Sequence, residues 1–373
     1  MNSRIVEQFL ELVQIDSETY HEENISPVLQ TILKELGFDV YVDDAHTKNG
    51  HASGNIIATL KGNTTDIDAI YFTAHMDTVV PGVGIKPIIK EDGYIYSDGT
   101  TILGADDKAG LAALIELARR IKEQNIAHGD IQYVITAGEE SGLVGAKFLE
   151  HEKVYAKYGF AVDSDGKIGE IVVAAPYQTK ISATLTGKTA HAGVEPEKGI
   201  SAITIAAKAV ARMKLGRIDS DTTANIGRFE GGKATNIVAD EATVLAECRS
   251  LEKDKVEAQA ADMKAAFEEA AKEMGGSADV AVENMYPGFR FTDDDLVVQV
   301  AQQAARLIGR EPKLTQSGGG SDANVIAGYG IPTVNLAVGY EFIHTTNERI
   351  PVEELEKLAD LLVAIVNVTT TVK

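Results

Sequence analysis

Histidines and acids recur at the ends of apolar runs in this chain, and the first place is residues 74–81, Ala-His-Met-Asp-Thr-Val-Val-Pro. The stretch before it, residues 68–73, is β-branched and aromatic and reads as a buried strand. His75 and Asp77 should therefore emerge at the strand's C-terminal end, the edge where open α/β sheets gather ligands. An imidazole there can bind a metal, and a carboxylate two residues on can hold the ring's other N–H. Four further places match. Asp106-Asp107 opens a helix, Glu139-Glu140 follows the run 131–136, Asp163 follows 158–162, and His344 lies in the loop after 332–338. Singly, each has an ordinary explanation: acids are favoured in a helix's first turn, and a loop histidine is commonly a surface residue. Gathered on one sheet edge, these acids would repel one another and be costly to desolvate without a cation. Two histidines with several carboxylates suit Zn²⁺, with Co²⁺ or Mn²⁺ admitted by the same ligand softness. They also suffice for two ions that share one bridging carboxylate, each taking one histidine and one terminal acid. One acid of Glu139-Glu140 is then left over as a base, and the chemistry favoured is hydrolysis of an amide or ester.

The elements that must position these groups fall into two patterns. Helical faces occur at Val6, Phe9, Leu10, Val13 and at Val28, Leu29, Ile32, Leu33, Leu36, the second stopped by Gly37. Strands are expected at 38–42, 55–60, 68–73, 131–136 and 158–162. A helix with apolar face Leu111, Leu114, Ile115, Ala118 and Ile121 lies among them. Such alternation predicts an α/β domain with a mostly parallel sheet covered on both faces. From 177 to 286 the order becomes βαββαβ, the split βαβ (ferredoxin-like) arrangement, an α+β unit inserted in the larger domain. After Pro287 the first pattern resumes through 373, so the expected division is 1–176 with 287–373, and 177–286.

The chain has 373 residues, more than one core usually holds, and a formal charge of −21. That charge argues against nucleic acid or an anionic membrane as partner. The single Cys248 excludes an internal disulfide and a thiolate cluster, and reads as core filling. No apolar run of membrane-spanning length and no signal-peptide core is visible, which points to the cytoplasm.

Taken in order, these residues resemble the co-catalytic zinc exopeptidases grouped with peptidase T, aminoacylase, glutamate carboxypeptidase and succinyl-diaminopimelate desuccinylase. The resemblance covers nearly the whole chain. It implies two divalent ions, with His75 and Asp163 on one, Glu140 and His344 on the other, and Asp106 bridging them. It makes Glu139 the general base and Asp77 the residue that orients His75. The wording Leu-Gly-Ala-Asp-Asp-Lys-Ala-Gly at 103–110 and the Asp at 163 look most like peptidase T, which takes the N-terminal residue from tripeptides. The inserted domain is then a lid that also serves for dimerisation. Its His191, in Gly-Lys-Thr-Ala-His, resembles the histidine that holds the scissile carbonyl oxygen, as a fixed donor suits. Asn236 and Arg249 match positions that contact the substrate's carboxylate, for which an arginine fork is fitted. Gly319 and Gly320 match a loop whose backbone N–H groups receive the same carboxylate. The implied substrate is a short peptide. The alternatives are an N-acyl amino acid amidohydrolase or carboxypeptidase of the same family and a non-catalytic peptide-binding relative.

Overall fold

The computed structural model describes residues 3–372. It divides into two compact units. One runs from the N-terminal segment through Ala174 and takes in Phe291–Ser317 and Ser321 onward; the other is Ala175–Arg290 with Gly318–Gly320. The second unit thus includes the glycine run as well as the segment expected to be inserted.

In the larger unit one sheet runs in the order Asp39–Val42, Ile56–Leu60, Ile131–Thr136, Ile70–His75, Tyr158–Ser164, Thr333–Ala337 and Glu170–Ala175. Its centre is parallel: Ile70–His75 pairs in parallel with both Ile131–Thr136 and Tyr158–Ser164, and Thr333–Ala337 pairs in parallel with Tyr158–Ser164. Towards one margin Ile56–Leu60 and Asp39–Val42 run antiparallel to their neighbours. At the other, Glu170–Ala175 is antiparallel to Thr333–Ala337 and pairs in parallel with Lys313–Gln316. Every side chain of Ile70–His75 and of Ile131–Thr136 is buried, which explains why these segments read as continuous apolar runs rather than alternating ones.

The helix Ala105–Gln124 covers the sheet with Leu111, Leu114, Ile115, Ala118 and Ile121 buried, as its sequence period requires. Each fully buried Leu or Ile contributes roughly 1.5–3 kcal/mol of transfer free energy. The helices Arg4–Val13 and Val352–Thr369 pack on Ala105–Gln124. A three-stranded sheet of Ile88–Ile89, Tyr94–Tyr96 and Arg349–Pro351 lies apart from the main one. The parallel centre brings the C-terminal ends of its strands to one edge, with His75 the last residue of its strand and Asp163 next to last in its own.

The smaller unit is an antiparallel sheet in the order Gly216–Arg217, Thr222–Gly231, Glu241–Ser250, Tyr177–Thr186, Ser277–Tyr286. The helices Ala202–Arg212 and Lys253–Met274 pack on it. Without the short Gly216–Arg217 this is the expected βαββαβ succession. Its core is Ile181, Leu185, Ile205, Val244, Met263 and Phe267, with Cys248 fully buried among them.

Candidate metal centre

His75, at the end of the strand Ile70–His75, is almost wholly buried and turns its Nε2 to Asp106 Oδ1 at 3.0 Å and to Asp163 Oδ1 at 3.7 Å. The other oxygen of Asp106 faces His344 Nε2 at 3.2 Å, and His344 Nε2 also lies 3.0 Å from Glu140 Oε1. Asp106 therefore offers one oxygen to each histidine. Ligand atoms of His75, Asp106 and Asp163 lie within 4.8 Å of one another, as do those of Asp106, Glu140 and His344. Those of His75, Glu139 and Glu140 form a third such group. The five residues expected as metal ligands and the expected base thus converge in the larger unit.

Electrostatics agrees with a set of groups gathered for a cation. Burial disfavours the His75 imidazolium, but its hydrogen bonds to the carboxylates of Asp106, Asp163 and Asp77 outweigh it and raise its pKa well above the ordinary value. Hydrogen bonds to Asp106 and Glu140 lift His344 to about 10. Burial would raise Asp106, yet His344 and His75 hold it well below the usual carboxylate range. Burial pushes Asp163 up to about 7 against the pull of His75. It pushes Glu139 well above the ordinary value too, with the charge of Asp163 adding and that of His75 opposing. The donor set, two imidazoles and clustered carboxylates with one carboxylate in reach of both rings, fits two divalent ions.

Asp77 does something the sequence did not announce. The nearest acceptor for His75 Nδ1 is the main-chain carbonyl of Asp77 at 2.9 Å, with the carboxylate 3.5 Å away. That carboxylate instead accepts the backbone N–H groups of Gly138, Glu139 and Glu140 at 2.9, 3.0 and 3.2 Å. It fixes the turn that carries Glu139 and Glu140, and the His75 ring is oriented by the same residue's backbone.

Other groups support the centre in ways the sequence reading did not specify. Glu348 is 1% exposed and accepts N–H groups from Leu103, Gly104 and Asp106 at 2.8, 2.8 and 3.0 Å. Asp107, joined to Asp106 by a cis peptide, accepts from His75 N and Gly110 N. Tyr340 donates to Asp163 Oδ1 at 3.1 Å. Asp322 is buried beside Thr136, which donates to it. An acid three residues before Gly110 was a readable capping signal for Asp107; the others carry none.

The expected substrate contacts lie in the smaller unit. His191 is exposed, with its Nδ1 accepting from Gly193 N at 3.2 Å, and Asn236 is its neighbour through the Ala192 N to Asn236 O bond of 3.0 Å. Arg249 is engaged already: its Nε and Nη2 donate to the Glu247 carboxylate at 2.8 and 3.2 Å, and its Nη1 donates to Gly318 O at 3.0 Å. The Tyr286 ring fills the space a side chain at Gly320 would need, and Gly319 lies beside it in the same run.

The sequence pattern of peptidase family M20/M25/M40 matches residues 71–368. The chain belongs to this family. Among solved structures it is similar to the aminopeptidase PepT of Bacillus cereus ATCC 10987, at 66% identity and a TM-score of 0.95 over 98% of each chain. It is also similar to a tripeptidase of Staphylococcus aureus subsp. aureus Mu50, 52% identical with a TM-score of 0.96 over 99% of this chain and 98% of that one. Among curated relatives it is 28% identical to the peptidase T of Geobacillus sp. (strain WCH70) over 98% of both chains. Membership in the M20 family makes the chain a hydrolase of the peptidase class, and the fold and the expected peptidase T resemblance are borne out. No described helix is long and apolar enough to cross a membrane.

Proposed function

We propose that the chain is a dinuclear metallo-aminopeptidase that releases the N-terminal residue of short peptides, tripeptides above all. The observation that carries this reading is Asp106, whose two oxygens face His75 and His344 at 3.0 and 3.2 Å. His75 and Asp163 would hold one ion, Glu140 and His344 the other, and Asp106 both; the mixed imidazole and carboxylate set suits Zn²⁺ and admits Co²⁺ or Mn²⁺. Such ions supply Lewis-acid chemistry, lowering the pKa of an attacking water and polarising the peptide carbonyl. Glu139 takes the water's proton and hands it to the departing amine. Asp77 keeps Glu139 and Glu140 in place through their backbone. In the lid, His191 donates to the developing oxyanion, and Arg249, Asn236 and the N–H groups of Gly319 and Gly320 receive the peptide's terminal carboxylate. For Arg249 this requires sharing or releasing Glu247.

The strand Ser277–Tyr286 stands last in its sheet's order, and a sheet edge of this kind supports a homodimer formed through the lid. The test of function is a pair of substrates, a free tripeptide and its N-acetylated form. The free one should be cleaved at its first bond and the blocked one refused. Faster hydrolysis of the acetylated peptide would favour the amidohydrolase alternative.

A further inference from the structure

Outside the metal centre, two buried side chains and a half-buried serine, from three segments, form a hydrogen-bonded row that the mechanism does not use. Glu22 and His51 have fully buried side chains, and His51 Nδ1 lies 2.7 Å from Glu22 Oε1. The same carboxylate accepts Tyr20 N at 3.1 Å through Oε1 and Ala52 N at 3.1 Å through Oε2. The other ring nitrogen of His51 lies 2.9 Å from Ser141 Oγ, and Ser141 Oγ donates to Gly138 O at 3.0 Å. Tyr20 stacks on the His51 ring, centroids 4.2 Å apart. Gly138 sits at φ +78°, and a β-carbon there would run into the imidazole.

A buried polar row is most simply a core that has satisfied its own donors. The end point of this one argues for more. It terminates on a hydroxyl and a carbonyl of the turn Gly138–Gly142, and its ring occupies the side-chain space of that turn's first glycine. The N–H groups of the same turn are held by Asp77. The turn closes with Gly142 N and Leu143 N on Glu139 O and Val144 N on Gly138 O. Its backbone donors are therefore fixed from one side and its acceptors from the other, with Glu139 and Glu140 between. Buried polar networks of this kind fix geometry when every member is satisfied.

We propose that Glu22, His51 and Ser141 are positioning residues that set the placement of the Glu139-Glu140 turn. This rests on the reading of Glu139 as base. Ser141→Ala removes the link to the turn without unpairing Glu22. We expect it to lower kcat on a tripeptide roughly ten- to a hundredfold, the loss that follows small misplacement of a reacting group, with KM and bound metal unchanged. Ser141→Thr, which keeps the hydroxyl, should restore kcat. His51→Phe, which keeps the stack on Tyr20, should act like Ser141→Ala and add little when the two are combined. Independently of turnover, backbone amide exchange in residues 137–144 of the metal-free protein should quicken in Ser141→Ala while the rest of the chain is unchanged. Parental kcat in both variants, or parental exchange in that segment, overturns the proposal. A parental protein that cleaves no peptide removes the reading of Glu139 instead, and the exchange result then decides the positioning role alone.

Discussion

A single buried carboxylate, Glu348, ties together two loops that carry proposed ligands. It belongs to the loop that carries His344, yet its oxygens accept the N–H groups of Leu103, Gly104 and Asp106. Glu348→Gln replaces one of those acceptor oxygens by a donor aimed at N–H groups. The affinity for the more weakly held of two ions should fall roughly ten- to a hundredfold, as loss of supporting contacts around a metal generally does; calorimetric titration with Zn²⁺ reads it, and two unchanged binding steps would contradict it. Glu139→Gln should do the opposite, keeping both ions while losing nearly all turnover, checked by elemental analysis beside a rate assay. The clustering of the proposed ligands was legible because His75, Glu140 and Asp163 stand just past apolar runs, where chain order already implies a shared edge, with Asp106 at a helix start and His344 in a loop. Glu348 and His51 were not, since their partners are backbone groups and acids from segments far away in sequence. A histidine after Asn49-Gly50 reads like any loop residue until the fold brings Glu22 and Ser141 to it.

At the scale of elements, the parallel strands were readable because burial on both faces forces unbroken apolar runs. The helix Ala105–Gln124 was readable by its period. The strands Glu170–Ala175 and Lys313–Gln316 were overlooked. The first lies between Asp163 and the change of pattern at Tyr177 and reads as a crossing; the second is a short stretch of mixed polarity. Asp130, just before the strand Ile131–Thr136, anchors a turn by accepting Gly62 N and pairing with Lys61 and Tyr155. Burial alone would raise its pKa, but these donors outweigh it and bring it down to about 2. A depressed native pKa contributes stability above the unfolded value of about 3.8, lost as pH falls towards about 2. Asp130→Asn should thus cost about 1 kcal/mol or less at pH 7, since solvent screens a site this open. The difference from the parent should shrink below about pH 4, measured by urea denaturation across that range. In the smaller unit Phe267, 0% exposed, should cost about 3–5 kcal/mol when changed to alanine, read by the same denaturation.

For the molecule as a whole, the acids of the centre add to a formal charge of −21, and bound cations would relieve the part of it that is most crowded. Ions that bind only the folded chain stabilise it by mass action, about 2.7 kcal/mol at a hundred times Kd. Chelation should therefore lower Tm, and Zn²⁺ should restore it; a Tm indifferent to chelator would count against resident ions. The most direct measurement is anomalous X-ray scattering from crystals equilibrated with Zn²⁺. The account predicts two peaks, one bonded to His75, Asp106 and Asp163 and the other to Asp106, Glu140 and His344. No peak at Asp106, or a lone ion that leaves His344 without one, would contradict it.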